Sequence, residues 1–392
     1  MSARNLIVGV DFNRSQPQIC YYEKEKENEV TAPMKVGNDQ VSFEDIFDEL
    51  DQLESSGSAE LSEKPEIMKR LIENASETFR KSLATLGLDD PERQISGIVI
   101  TVPKLRTQEV ALIRGIYRTL GLDKVRAYLQ DYKESFYYHT LYQDREIWNR
   151  NVGFYHFQGR TVTFGSLVIN TLTRPVTFHF AEGMSMELSD KKDMWDGQFC
   201  EMIESTLNTG VYSGVIVTGD TYNRDWSKRS SVMLPRNGRK AFIQEGLFAK
   251  GACYTAREKA VEKRLGSYLY LGEDLVRTNI GMEMVVQGKA TYYPLLSAGI
   301  NWYEAQKNYE CILVGEKPEL KFLLSGIEDR QQKLTVMKLP GLDLKSRPAG
   351  TMKLGIRLSY RNAGCCVIEV EDLGFGELYP STGRKWREEL TC

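Results

Sequence analysis

Gly97-Ile98-Val99-Ile100-Thr101-Val102-Pro103 is an apolar, β-branched run closed by a proline, and it opens the stretch 95–167 whose reading decides the fold. A short run without polar alternation predicts a strand buried on both faces, and Pro103 ends it. Residues 107–120 follow with Val110, Ile113, Ile116 or Tyr117, and Leu120 on one stripe, and with Gly121 where a left-handed helix cap is wanted. That spacing predicts an amphipathic helix. Residues 125–129 read as a short strand, and a second helix carries Phe136, Tyr137, Thr140 and Leu141 on one face. Two extended runs, 152–157 and 161–169, then read as a hairpin. Strand, helix, strand, helix and hairpin in that order predict an α/β unit.

Outward from this stretch, residues 5–13 and 19–23 read as the first two strands, joined by a tight loop at 14–17. The segment 41–61 is acidic, with Glu44, Asp45, Asp48, Glu49, Asp51 and Glu54 on a short helix with a solvated face, and Ser55-Ser56-Gly57-Ser58 reads as a flexible break. Residues 66–86 place Ile67, Leu71, Ile72, Ala75, Phe79, Leu83 and Leu86 on one helical stripe, with Gly87 beyond its end. Further on come a strand at 175–180, a helix at 191–207 and a strand at 211–218. A helix at 245–263 follows, whose Ala249, Gly251, Ala252 and Ala256 permit close packing on a sheet. From Leu275 onward the pattern changes to short alternating runs, separated by turn signals at Gly288, Gly299, Pro318, Gly326, Gly341, Gly350 and Gly364. This is the spacing of a β-sandwich.

At 392 residues the chain exceeds one comfortable core, so two domains are expected, and 41% apolar residues suffice to fill both. Lys+Arg of 51 against Asp+Glu of 54 leaves a formal charge of -3, which gives nucleic acid no global electrostatic support. The first strand begins within a few residues of Met1, and no apolar run approaches the ~20 residues of a spanning helix, so no membrane association and a cytoplasmic location are expected. The seven cysteines lack C-x-x-C spacing and read as free thiols. His139, His156 and His179 form no metal spacing.

Ile100-Thr101-Val102-Pro103, a helix, Leu120-Gly121-Leu122 and then Gln130-Asp131-Tyr132-Lys133-Glu134 resemble the seventy-kilodalton heat-shock chaperones, which carry a strand ending in I-T-V-P, a helix, a G-L turn and an N-E-P-T-A-A segment. Leu6-Ile7-Val8-Gly9-Val10-Asp11-Phe12-Asn13 resembles the first phosphate strand of the wider actin and heat-shock ATPase superfamily. Val215-Ile216-Val217-Thr218-Gly219-Asp220 and Ala249-Lys250-Gly251-Ala252 resemble its adenosine loop and the small-residue helix behind it. The resemblance implies a trimmed, two-lobed actin-like (ribonuclease-H-like) α/β domain at 1–265, a linker at 266–274 containing Tyr268-Leu269-Tyr270-Leu271, and a heat-shock-type substrate-binding sandwich at 275–392. Leu339-Pro340-Gly341-Leu342 and Arg347-Pro348-Ala349-Gly350 are similar to that sandwich, whose helical lid has no counterpart here.

The same resemblance places a vestigial nucleotide site at Asp11, Asn13, Arg14, Gly159 and Gly219. Asn13, Arg14 and Ser15 stand where glycine and small hydroxyl residues would serve phosphate. His156 replaces the acid of the second phosphate loop and reads as a surface-facing strand residue, while Asp220 brings a carboxylate to the adenosine turn. The helical subdomain that walls the adenine pocket in the chaperones is missing. The expectation is therefore a chaperone-like or scaffolding protein that binds a protein or peptide, with hydrolysis lost, no catalytic residue, no metal and no cofactor, and Mg-ATP bound weakly at most. The alternative is an active nucleotide switch using Asp11, Asp131 or Glu134 around Mg²⁺, and a filament-forming actin relative is a third reading. For the peptide, Ile280, Met282, Ile312, Phe322 and Leu324 fall at positions that resemble the gripping residues of the chaperones, against the rival of ordinary core packing.

Overall fold

The computed structural model describes residues 6–55, 65–314, 317–327, 332–344, 347–348 and 350–392. Positions 56–58 of the expected flexible break, and Ala349 of the second proline motif, lie outside the described residues. The chain divides into two compact units, Met1–Gly272 and Glu273–Cys392. Among the described residues no helix is long and apolar enough to cross a membrane.

The first unit opens with strands β1 (Leu6–Asp11), β2 (Gln18–Glu23), β3 (Asn28–Pro33), β4 (Lys35–Val36) and β5 (Asp39–Gln40). Helices α1 (Glu44–Ser55), α2 (Pro65–Thr85) and α3 (Pro91–Gln94), strand β6 (Ile95–Val102), helix α4 (Thr107–Thr119), strand β7 (Ala127–Asp131) and helix α5 (Tyr132–Leu141) complete its first half. The second half holds β8 (Asn151–Gln158), β9 (Thr161–Asn170), β10 (Val176–Glu187), α6 (Trp195–Leu207), β11 (Tyr212–Gly219), α7 (Lys228–Met233), β12 (Lys240–Ile243), α8 (Leu247–Arg257) and β13 (Tyr268–Tyr270).

These strands build one pattern twice. The first sheet runs β3-β2-β1-β6-β7, with an antiparallel meander of three strands continued by two parallel ones. The second runs β12-β11-β8-β9-β10-β13, again a three-strand meander flanked by two parallel strands beside its first member. The duplication is that of an actin-like ATPase fold, as expected. Strand β13 extends the second sheet by pairing parallel to Val176–Phe178 through residues 268–270.

Two helices fill the space between the sheets. Ala249, Ala252, Cys253 and Ala256 of α8 pack on Ile7, Cys20 and Val99 of the first sheet. Phe136, Tyr137 and Leu141 of α5, with Leu247 and Phe248, pack on Val152, Phe154, Leu167 and Phe178 of the second. The approach is close because the side chains are small. A Cβ on Gly9 would lie 2.1 Å from the Cys253 nitrogen, and one on Gly251 would lie 2.1 Å from the Ser135 carbonyl oxygen.

Element boundaries shift where local hydrogen bonding overrides pattern. The strand expected at 125–129 forms at Ala127–Asp131, because Asp123 receives the Val125 amide on its side chain and the Ala127 amide on its carbonyl, which leaves Val125 in an exposed turn. The expected 245–263 helix is α-helical only to Arg257 and ends in a π-turn over Glu258–Glu262. The acid-rich face of α1 is also more than a solvated face, since Glu49 pairs with Arg70 and Asp51 with Arg106.

The second unit contains only strands as regular structure among the described residues. One sheet runs β15-β14-β17-β18, formed by β14 (Thr278–Val286), β15 (Lys289–Leu296), β17 (Glu319–Gly326) and β18 (Gln332–Lys338). The other runs β16-β19-β20-β21, formed by β16 (Lys307–Ile312), β19 (Lys353–Asn362), β20 (Cys365–Asp372) and β21 (Lys385–Thr391). All ladders are antiparallel. The Tyr309 hydroxyl donates to the Leu295 carbonyl, joining one sheet to the other.

Beyond β20 the chain is held by a buried carboxylate. Asp372 accepts from the Gly374 amide (2.9 Å), the Thr382 amide (2.9 Å), the Thr382 hydroxyl (2.7 Å) and both terminal nitrogens of Arg347 (3.3 Å each). Desolvation pushes this carboxyl up, but the hydrogen bonds from Thr382, Gly374 and Arg347 outweigh it and hold it below its ordinary range.

Candidate functional site

The carboxyl ends of β1 and β11, the end of β8 and the start of α8 converge on one cleft of about 580 Å³ within the first unit. Asp11, Asn13, Arg14 and Gly219 line it, together with Tyr132, His156, Asp220 and Phe248. Gly159 adjoins rather than lines it.

Each residue placed there by sequence is already engaged by the protein. Asn13 folds the first loop on itself, its side-chain oxygen accepting the Gln16 amide at 2.8 Å and its side-chain nitrogen donating to the Gln16 carbonyl at 3.1 Å. Arg14, still partly exposed at the cleft, pairs with Asp48 and Asp51 of α1, so its charge is already offset by two carboxylates of the protein. The Gly159 amide donates to Asp220 Oδ1 (3.1 Å), and the Thr221 hydroxyl donates to the Gly159 carbonyl (2.7 Å), so the turn after β11 clamps the β8–β9 turn. Gly219, at φ 129°, is required by that clamp: a Cβ there would stand 2.0 Å from the Phe157 carbonyl oxygen.

Asp11 is the sharpest case. It ends β1, is 6% exposed, and accepts a 2.6 Å hydrogen bond from the Tyr132 hydroxyl. Desolvation raises its pKa to about 7, against the opposing hydrogen bonds from Tyr132 and Asn13. Tyr132 sits in the first turn of α5 because Asp131 caps that helix, accepting the Glu134 amide at 2.8 Å. Its ring lies flat on Phe248, with centroids 3.5 Å apart and planes 6° from parallel. The stack occupies the wall between the two lobes.

His156 is not the surface residue that its sequence position suggests. It stands in the cleft wall with its ring edge-on to Phe248 at 5.0 Å, and desolvation lowers its pKa to about 4 despite Asp220 nearby. Asp131 and Glu134 do not join Asp11: the first caps α5 and the second pairs with Lys259 at 3.1 Å. No group of three or more His, Cys, Asp or Glu residues among the described residues is placed to hold a metal ion. Tyr132 lay inside a motif legible in the sequence, as the residue directly after the strand-ending Asp131. Phe248 carried no comparable signal.

In the second unit the five peptide-gripping candidates do not form a groove. Ile280 pairs opposite Leu324 and Met282 opposite Phe322 across β14 and β17, and all four are buried. Ile312 lies on the other sheet and is exposed. Alternation turned the four inward, so a peptide crossing the sheet would not touch them.

Among solved structures, Thermus thermophilus RuvC matches at 11% identity and TM-score 0.21, covering 24% of this chain. This chain spans 61% of that RuvC chain. The ethanolamine utilization protein EutJ from Carboxydothermus hydrogenoformans matches at 11% identity and TM-score 0.34, covering 64% of this chain and 89% of its own. A Bacteroides thetaiotaomicron protein with actin-like ATPase fold and unknown function matches at 8% identity and TM-score 0.31, covering 64% and 96%. No curated protein matches. Residues 275–392 match the domain of unknown function DUF8552. Residues 19–273 match the C-terminal region of the family of unknown function DUF5716, and the chain belongs to that family.

Proposed function

We propose that the chain is a scaffolding protein that binds a protein partner and whose ATPase-like unit does not hydrolyse nucleotide. The observation that carries this reading is Tyr132, which hydrogen-bonds the one acid of the first phosphate strand and stacks on Phe248. An Asp11 whose carboxyl titrates only near neutrality and is capped by a phenol is a poorer ligand for Mg²⁺ than an ordinary carboxylate, since burial disfavours its ionised form. The Gly159 amide, the natural donor to a phosphate at the second loop, is satisfied by Asp220 instead. Asp220 and Glu245 add acidic groups to the cleft while Arg14 is offset by two carboxylates of α1, so a polyphosphate would meet repulsion.

The partner surface we assign is the outer face of the β15-β14-β17-β18 sheet. Val285, Tyr292, Leu334 and Val336 are exposed there, on the side opposite the buried Met282 and Phe322. Lys321, opposite Val336, and Glu283, opposite Tyr292, stand among them on this face, so a partner here would meet apolar side chains interspersed with charge.

The test is thermal unfolding and phosphate release with Mg-ATP, beside partner recovery from the native cells. No rise in melting temperature and no phosphate above blank are expected, because a ligand bound only by the folded state must raise stability. Partners recovered with the wild type are expected to be lost with a folded Leu334→Glu/Val336→Glu variant. Phosphate release abolished by Asp11→Ala would overturn the reading, as would identical partners on both proteins.

A further inference from the structure

Beside the Tyr132–Phe248 stack lies a second chamber, which shares Pro103, Tyr132, His156 and Phe248 with the cleft but none of its residues 13–18, 218–223 or 243–247. Its volume is about 310 Å³. Thr163 and Gly165 of β9 form the floor, and Phe154 of β8 and Phe180 of β10 form walls. Pro103 and, from α5, Lys133 and Phe136 complete the lining.

The strands are shaped to leave this space. A Cβ on Gly165 would fall 2.2 Å from the tip of the Phe180 ring, so the ring lies over a position where any other residue would lift it. The β9–β10 register breaks between Glu182 and Ser185, and Gly183 in that break would meet Phe164 within 2.6 Å if it bore a Cβ. Breaks of this sort re-aim side chains at sheet edges and beside sites. The aromatic rings are mutually tilted rather than filling the chamber: Phe136 and Phe180 stand at 90° with centroids 6.0 Å apart, and Phe154 and Phe180 at 76° and 6.0 Å.

Polar groups are few. His156 faces the chamber, makes no hydrogen bond among the described residues, and is uncharged at neutral pH. Lys133 is balanced by Glu182 at 2.5 Å. The chamber therefore carries almost no net charge, and water inside it would find mostly aromatic carbon as neighbours. Rings presented edge and face, with His156, Thr163 and Ser185 as the neutral polar contact points, match a planar heterocycle better than a flexible chain or an ion.

We propose that this chamber binds a compact, uncharged, planar heteroaromatic molecule with one ring N–H donated to His156. The chamber shares His156, Tyr132 and Phe248 with the cleft, and Met184, which lines the chamber but not the cleft, tells occupancy of the two apart.

Indole is a suitable probe. With the full-length protein carrying ¹³C-methyl methionine, the Met184 methyl at the chamber rim reports occupancy, its signal assigned by Met184→Leu. Indole is expected to shift that signal saturably, and cyclohexanol, which is not planar, to bind at least about tenfold more weakly. Thr163→Trp, which fills the floor, is expected to abolish the shift, and His156→Leu to weaken it about tenfold. If Thr163→Trp does not fold, His156→Leu carries the test alone. No saturable shift at millimolar indole, or equal affinity in a folded His156→Leu, would overturn the proposal.

Discussion

Asp11 titrates near neutrality because burial outweighs the hydrogen bonds from Tyr132 and Asn13. Its folded-state pKa of about 7 lies above the ordinary 3.8, so the folded state keeps a proton that the unfolded chain has released. The stability this contributes is fully present below 3.8 and is lost as pH rises through about 7. Asp11→Asn keeps an acceptor for Tyr132 and removes the titration. It is expected to match the wild type near pH ~4 and to exceed it by about 1–3 kcal/mol above pH ~8, as measured by urea unfolding. A constant difference across that range would show that Asp11 does not titrate as described. The glycines of the clamp separate in the same assay. Gly159 needs only its turn conformation, with open space around it, so Gly159→Ala should cost about 1 kcal/mol. Gly219 also abuts the Phe157 carbonyl, so Gly219→Ala should cost about 3 kcal/mol or more.

Helices α5 and α8 meet through Gly251, and they carry the two rings of the Tyr132–Phe248 stack. Gly251→Ala would drive a methyl into the Ser135 carbonyl and part the helices, for an expected loss of about 3 kcal/mol. Near-UV circular dichroism should weaken along with it, and an unchanged spectrum with wild-type stability would contradict this packing. The small-residue face of α8 was legible because Ala249, Gly251, Ala252 and Ala256 recur at helical spacing. So were β6, α4 and the β8–β9 hairpin, whose apolar periods are strong. Strand β3, Asn-Glu-Val-Thr-Ala-Pro, was not, since a sheet-edge strand with one large aliphatic residue leaves no alternation to read. The cleft followed the same rule. Asp11, Asn13, Arg14 and Gly219 could be named from their motifs. That Asp11 is covered by Tyr132, and Tyr132 by Phe248, depends on contacts between distant parts of the chain. His156 was misread because strand parity gives a face, and here the face in question borders a cleft instead of solvent.

At the scale of the whole molecule, each unit has its own sheets and its own buried residues. Residues 273–392 expressed alone are therefore expected to fold, with dispersed amide resonances and a cooperative melt. An unfolded fragment would mean that the strand-rich unit depends on the first for its stability.

Within that unit, Asp372 joins Gly374 to Thr382 and both to Arg347, so residues 374–382 form a ring of chain closed by one carboxylate. Such a ring behaves as a reversible cross-link. When one bond opens, the others keep the ends at high effective concentration, and the segment recloses before a protease can seat itself on it. Because this carboxyl is held below its ordinary value, the clasp contributes fully above 3.8 and is lost as pH falls. Acid, or Asp372→Asn at neutral pH, should turn a protected segment into the first site cut by pepsin or by a neutral protease respectively.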